Sequence, residues 1–260
     1  MLEAEEACNG MSFCCPCLRL QNFEAVAEGD GCFPEMPISY SALKHALRTG
    51  LSAEARLVWW PFLPSILPGT LVVENPNIGE TSIKRYEWAK ARFASNTTVT
   101  GQDTNEHITD ALGDRTAEVL SLVSGLHDME EPELIKHLID ILVLMIPRIE
   151  VVFQTTCEIL DRPDWFISPT AVNHRLKLFT FRELVKQYLP KVSAKLEKIE
   201  ALGAEFLNLI FVEFFMSLLP FPFVARIIDS FLLEGSKVLH RYGLGILYCN
   251  RDIVEHPLCT

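Results

Sequence analysis

The side chains that could do chemistry are cysteines, histidines and scattered arginines. Five of the eight cysteines (Cys8, Cys14, Cys15, Cys17, Cys32) fall in the first 32 residues, and Cys157, Cys249 and Cys259 are widely spaced along the rest of the sequence. Cys14-Cys15-Pro16-Cys17 contains one C-x-x-C, which offers two thiolates, but no second pair closes a tetrahedral site, so no metal is expected. Adjacent thiols at Cys14, Cys15 and Cys17 also suit reversible S-acylation, where two chains anchor firmly. Glu3, Glu5 and Glu6 oppose an anionic lipid surface, so an acylated head and an unmodified one both stay open. The seven histidines (His45, His107, His127, His137, His174, His240, His256) form no i, i+4 pair and read as surface or capping residues. No phosphate loop, dinucleotide fingerprint, nucleophile elbow or H-E-x-x-H occurs, so a self-contained enzyme is not expected, nor any cofactor.

The elements that must position these residues are helical. The 260 residues are 49% hydrophobic and 22% charged, which predicts a folded chain of one large or two small domains. The 34 acidic against 23 basic residues give a net charge of −11, which works against nucleic-acid binding. The acidic start lacks an apolar signal region, and Phe206 to Val224 is interrupted by Asn208, Glu213, Pro220 and Pro222, so a cytoplasmic location is expected. Gly and Pro without periodicity mark residues 1–38 as a flexible Cys-rich head, leaving 39–255 as the helical domain.

Ser41–Leu47 and Ala53–Phe62 form a predicted helical hairpin, with Gly50 ending the first helix and Ser52 capping the second. Residues 64–113 read as loops around one helix at Thr81–Phe93. Beyond Asp114, Val119, Leu122, Val123, Leu126 and then Leu134, Leu138, Ile141, Leu142, Met145 keep helical spacing. Thr180-Phe181-Arg182-Glu183 is a capping box and predicts a helix start. Phe211 to Leu219 reads as a helix stopped by Pro220 and Pro222. A second follows through Val224, Ile227, Ile228, Phe231 and Leu232 to Glu234-Gly235, and a third is capped by Ser236. No run alternates with period two for long enough to predict a strand, so the class is all-α.

Two segments carry a family resemblance. Phe223-Val224-Ala225-Arg226-Ile227-Ile228-Asp229-Ser230-Phe231-Leu232-Leu233-Glu234-Gly235-Ser236-Lys237-Val238-Leu239-His240-Arg241-Tyr242-Gly243-Leu244-Gly245-Ile246-Leu247 resembles the closing signature of the TBC family, the Rab GTPase-activating domains, and as far as Arg241 it has the form of the Skywalker-like branch. Leu47-Arg48-Thr49-Gly50-Leu51-Ser52-Ala53-Glu54-Ala55-Arg56-Leu57-Val58-Trp59 is similar to the opening element L-R-x-G-[IV]-P-x-x-x-R-x-x-[VL]-W, with Ser52 in the proline place. The resemblance implies a multi-helix TBC-like domain, partnership with a small GTPase of the Rab/Arf type, and a peripheral place at vesicle or plasma membranes.

It also implies two catalytic motifs. In I-x-x-D-x-x-R the arginine enters the GTPase site, and in Y-x-Q the glutamine orients water; an arginine supplied in trans is worth on the order of a thousandfold or more. The nearest phase of the first, Ile78 to Lys84, has Thr81 for the aspartate and Lys84 for the arginine, and lysine lacks the planar fork. Ser124 to Asp128, where the second is expected, has neither tyrosine nor glutamine. Three readings follow: a degenerate GAP that binds Rab GTPases or phosphoinositides, an active GAP using Lys84, Arg85 or Arg92, and a helical scaffold. The branch further implies a cationic phosphoinositide pocket, matched here by Arg56 and Arg226, to which Lys237 and Arg241, four apart on the next helix, can add. The alternative is that Arg226 pairs with Asp229 and Arg56 with Glu54 or another surface carboxylate, leaving no pocket.

Overall fold

The computed structural model describes residues 38–68, 71–72, 78–93, 109–167, 170–199 and 201–255. Residues 1–37 of the expected head, with Cys14, Cys15 and Cys17, and the polar run 96–101 lie outside them. The fold is all-α, with helices α1 (Tyr40–Thr49), α2 (Ala53–Trp59), α3 (Ile78–Phe93), α4 (Thr109–His127), α5 (Glu133–Met145), α6 (Ile149–Leu160), α7 (Ala171–Tyr188), α8 (Pro190–Lys198), α9 (Ala204–Phe211), α10 (Phe221–Glu234), α11 (Lys237–Cys249) and α12 (Arg251–Glu255). A short 3-10 turn covers Leu63–Ser65. The expectation of no strand is corrected only by a two-residue antiparallel pair, Ile38 against Val72 and Ser39 against Leu71.

Local chemistry explains most boundaries. Ser39 accepts the amide of Ala42 to start α1, and Gly50, at φ 101°, ends it by donating its N–H to Ala46 and Leu47. Ser52 then accepts the amide of Ala55, so α2 begins where the sequence predicts. Three expectations are corrected. Thr180 does not start a helix: α7 begins at Ala171, capped by Thr170 on the amide of Asn173, and the Thr180 hydroxyl bonds back to Leu176 O in mid-helix. The helix through Phe211 does not reach Leu219, because Phe214 and Phe215 take φ values of 52° and 65° and bury both rings completely. Ser236 opens α11 without a side-chain cap.

Helices α3 to α6 pack on one another, and α7, α8, α9, α11 and α12 form a second group. Between them α10 touches α11, α1 and the 3-10 turn. From Val224 to Glu234 every residue of α10 except Arg226 is buried, the pattern of a helix enclosed on all sides. Phe231 takes Phe166 and Phe214 edge-on at centroid distances of 5.5 and 5.2 Å.

A carboxylate in this apolar helix must be compensated. Asp229, with no exposed surface, receives both Nε and Nη2 of Arg56 at 2.9 Å, the indole N–H of Trp60 at 2.7 Å and the amide of Leu51 at 3.2 Å. The pairings considered from sequence are thereby corrected: Asp229 takes Arg56, not Arg226. The latter donates instead to the carbonyls of Arg48 and Thr49 at the end of α1. Leu51 and Arg56 of the opening signature, with Trp60 just after it, thus close on one acceptor of the closing signature. Asp229→Ala leaves the Arg56 guanidinium without its counter-charge and should cost about 3–5 kcal/mol of unfolding free energy by urea titration; a loss within about 0.5 kcal/mol would show that the carboxylate does not hold α2 to α10.

Candidate functional site: a cation cluster around Glu234

Five residues after Asp229, α10 ends with a second carboxylate in a different setting. Gly235 follows at φ 79°, and a Cβ there would lie 2.3 Å from Trp165 O, so this turn needs glycine both for its backbone and for the close approach. The turn delivers the chain into α11 with Lys237 and Arg241 one helical turn apart. Across from them α1 presents Lys44 and Arg48, also four apart.

All four cations converge on Glu234, which is 2% exposed. Arg48 binds bidentately, Nε to Oε1 and Nη2 to Oε2, both at 2.9 Å. Arg241 Nη1 reaches Oε2 at 2.9 Å, Lys44 Nζ at 3.0 Å and Lys237 Nζ at 3.9 Å. Lys237 also sits 4.8 Å over the ring of Trp165, whose indole donates to Leu233 O. One carboxylate for four cations leaves a local excess of positive charge in a chain of net −11.

The electrostatics follow from this crowding. Burial would push the Glu234 carboxyl up, but the hydrogen bonds and charges of Arg48 and Lys44 outweigh it and hold the group below the ordinary glutamate value. Burial depresses the Lys237 ammonium; Glu234 pulls the other way, and Lys44, Arg241 and Arg48 add to the depression. The side chains of Arg48, Lys237 and Arg241 each keep 43% of their surface exposed, while Glu234 is covered. The N–H groups of Arg48 and Arg241 not used on Glu234 have no protein acceptor among the described residues. Such donors suit an anion with several oxygens.

The residues expected at the site divide. Lys237 and Arg241 lie in the cluster, whereas Arg56 is committed to Asp229 and Arg226 to the end of α1. Lys44 and Arg48 were not anticipated from sequence, although their i, i+4 spacing repeats that of Lys237 and Arg241 and was a usable signal. The residues nearest the catalytic motifs are also placed. Lys84 pairs with Glu80 one turn back on α3, both largely exposed. Arg85 reaches Asp161 at 3.4 Å, and His127, within the segment expected to hold the glutamine, lies 3.9 Å from the same carboxylate. His127 Nε2 is buried without a partner, which corrects its reading as a surface or capping residue. No group of three metal-ligating side chains occurs among the described residues, and no described helix is long and apolar enough to cross a membrane.

Residues 131–254, which hold α10, the Gly235 turn and α11, match the Rab-GTPase-TBC domain. The match covers just under half of the chain and agrees with the resemblance that the closing segment suggested. Among curated proteins the chain is 40% identical to Carabin of Mus musculus over 75 residues, 29% of this chain and 17% of that protein. It is 29% identical to Growth hormone-regulated TBC protein 1 of Homo sapiens over 92 residues, 35% and 27% of the two chains. With the Ecotropic viral integration site 5 protein of Mus musculus it shares 25% identity over 83 residues, 32% and 10%. The matched stretches thus span about a quarter or less of those relatives. No solved structure matches.

The Glu234 cluster makes stability pH-dependent in a definite direction. A carboxyl held low when folded stabilises above its unfolded value and loses that contribution as pH falls through the folded value. Unfolding free energies from urea titrations between about pH 6 and 3 should fall more steeply for the wild type than for Glu234→Gln, by up to about 1.4 kcal/mol per pH unit. Parallel profiles would mean that the cations do not act on this carboxylate.

Proposed function

We propose that this chain is a Rab-interacting TBC-domain protein of membrane traffic, peripheral at vesicle or plasma membranes, that has lost GAP catalysis and holds a phosphoinositide head group on Lys44, Arg48, Lys237 and Arg241. The observation that supports the lipid half is the cluster itself: four cations gathered on one buried carboxylate, with unused guanidinium N–H groups. A multiply phosphorylated ring needs several charge-assisted donors at once, and bidentate arginine geometry meets that need better than isolated lysines do. Glu234 sets the arrangement and leaves the cluster short of neutrality. The GTPase half is supported by the Rab-GTPase-TBC match over 131–254. Loss of catalysis is supported by Lys84 and the segment 124–128, which lack the two side chains the reaction uses.

One observation favours a second reading, an active GAP with a non-standard finger. Arg85 and His127, from the two places where catalytic groups are expected, meet at Asp161. In that reading Arg85 leaves the carboxylate to enter the GTPase.

Two measurements separate these readings. Purified protein added to GTP-loaded Rabs that it binds should leave their hydrolysis rates within about twofold; a hundredfold acceleration lost in Arg85→Ala would establish the finger instead. In flotation with phosphatidylcholine vesicles containing a few per cent of a bisphosphorylated phosphoinositide, Lys237→Gln/Arg241→Gln should weaken binding about tenfold or more, with a strong salt dependence in the wild type. Unchanged melting would show that the variant folds, and unchanged lipid affinity would leave the cluster with a structural role only.

A further inference from the structure

The described surface holds a second basic region that the Glu234 cluster does not include. From Ala171 to Lys198, helices α7 and α8 carry Arg175, Lys177, Arg182, Lys186, Lys191, Lys195 and Lys198 against only Glu183 and Glu197. The pair is therefore strongly basic in a chain of net charge −11. Lys177 is turned inward, its Nζ donating to Phe166 O at 3.1 Å. The others face solvent wholly or in part, and Lys186, Lys191, Lys195 and Lys198 take part in no ion pair among the described residues. Among the described residues Arg175 and Arg182 donate to backbone carbonyls, those of Ala171 and Leu202, and to no carboxylate.

Apolar side chains stand among these charges. The inner face of α7 is buried through Leu178, Phe181 and Val185. Yet Val172, Leu176 and Phe179, at i, i+4 and i+7 on the outer face, are 67, 58 and 58% exposed. Arg175, Arg182 and Lys186 follow one another at i, i+7 and i+11, a row flanking that stripe. On α8, which packs against α7, Lys191, Lys195 and Lys198 share one face at the same i, i+4, i+7 spacing. Scattered exposed hydrophobics are ordinary, but a stripe bordered by unpaired cations marks a surface that meets something both apolar and anionic.

We infer that the outer face of α7, with α8, is a second membrane contact that rests on an anionic bilayer, the apolar stripe entering the head-group boundary and the lysines facing lipid phosphates. Charge decides the occupant: unpaired cations around protruding apolar side chains fit the interfacial plane of an anionic membrane. The stripe's side chains stand out from one helix, more than half exposed, whereas a small-ligand site encloses its ligand. This contact extends the proposed peripheral membrane role but needs no phosphoinositide and none of the cations on Glu234.

The test uses the full chain and vesicles of phosphatidylcholine with about 30% phosphatidylserine and no phosphoinositide. Sedimentation should show binding that is absent with phosphatidylcholine alone. Leu176→Ser/Phe179→Ser should lower the partition coefficient about tenfold, and each of Lys186→Gln, Lys191→Gln and Lys195→Gln should lower it up to about fivefold and flatten its salt dependence. Leu176, Phe179, Lys186 and Lys191 are exposed and Lys195 is half-buried, so melting temperatures should stay near the wild-type value. The loss in Leu176→Ser/Phe179→Ser should exceed that in Arg241→Gln at least about threefold; an equal loss in Arg241→Gln would move the contact to the Glu234 cluster and overturn the inference. Absence of binding above the phosphatidylcholine level would also overturn it and leave the stripe to a protein partner. Failure of phosphoinositide binding alone would sink the proposed head-group site and leave this surface standing.

Discussion

Burial of the Asp229 carboxylate in the most enclosed helix of the protein is the constraint on which the rest depends. An unpaired charge there is prohibitive, so α10 can occupy its central place only when Arg56, Trp60 and Leu51 have delivered their donors. That requirement fixes α2 against α10, and with it the loop that carries Gly50. Arg226 then completes the arrangement from the exposed side, donating to the last carbonyls of α1, where a cation also complements the helix C-terminus. The two segments that resemble the TBC signature are therefore two halves of one hydrogen-bonded clasp, and their residue types are explained by it without reference to catalysis.

Glu234 repeats the theme under different conditions. Asp229 is matched by a single guanidinium plus two neutral donors, giving a balanced and dry pair. Glu234 is covered too, yet it is surrounded by more cations than it can neutralise, and three of them stay substantially open to solvent. One helix thus carries a charge pair that closes the fold and, five residues on, an over-compensated one that leaves attraction for an anion at the surface. Because α1 contributes to both, through Gly50 and Leu51 following it and through Lys44 and Arg48 along it, the geometry of the cluster is inherited from the clasp.

Much of this was legible in the chain. The Gly50 and Ser52 punctuation, the helical spacing after Asp114 and the Glu234-Gly235 stop are local signals, and local physics decided them. The misses share a cause, in that a tertiary demand overrode a local preference. Thr180 and Glu183 have the spacing of a capping box, but Leu178, Phe181 and Val185 are needed on the buried side of one continuous helix, so the hydroxyl bonds backwards instead. Phe211 to Leu219 has helical periodicity, but burying Phe214 and Phe215 together takes left-handed backbone. At the site, the sequence offers Asp229 a near partner in Arg226, whereas the true partner is 173 residues away. Lys44 and Arg48 were passed over for the same reason, since nothing near them in sequence contains the carboxylate they serve.

The distance spanned by the clasp bears on how the protein is made. The donors at Leu51, Arg56 and Trp60 leave the ribosome 169 to 178 residues before Asp229, which at about 5–20 residues per second is an interval on the order of ten seconds or more. Throughout it α2 has a guanidinium and an indole but not the helix they hold, while α3 to α6 can already pack on one another. The amino-terminal hairpin is thus the first part of the domain to emerge and among the last to be secured. The lag is set by where a single aspartate sits in the chain.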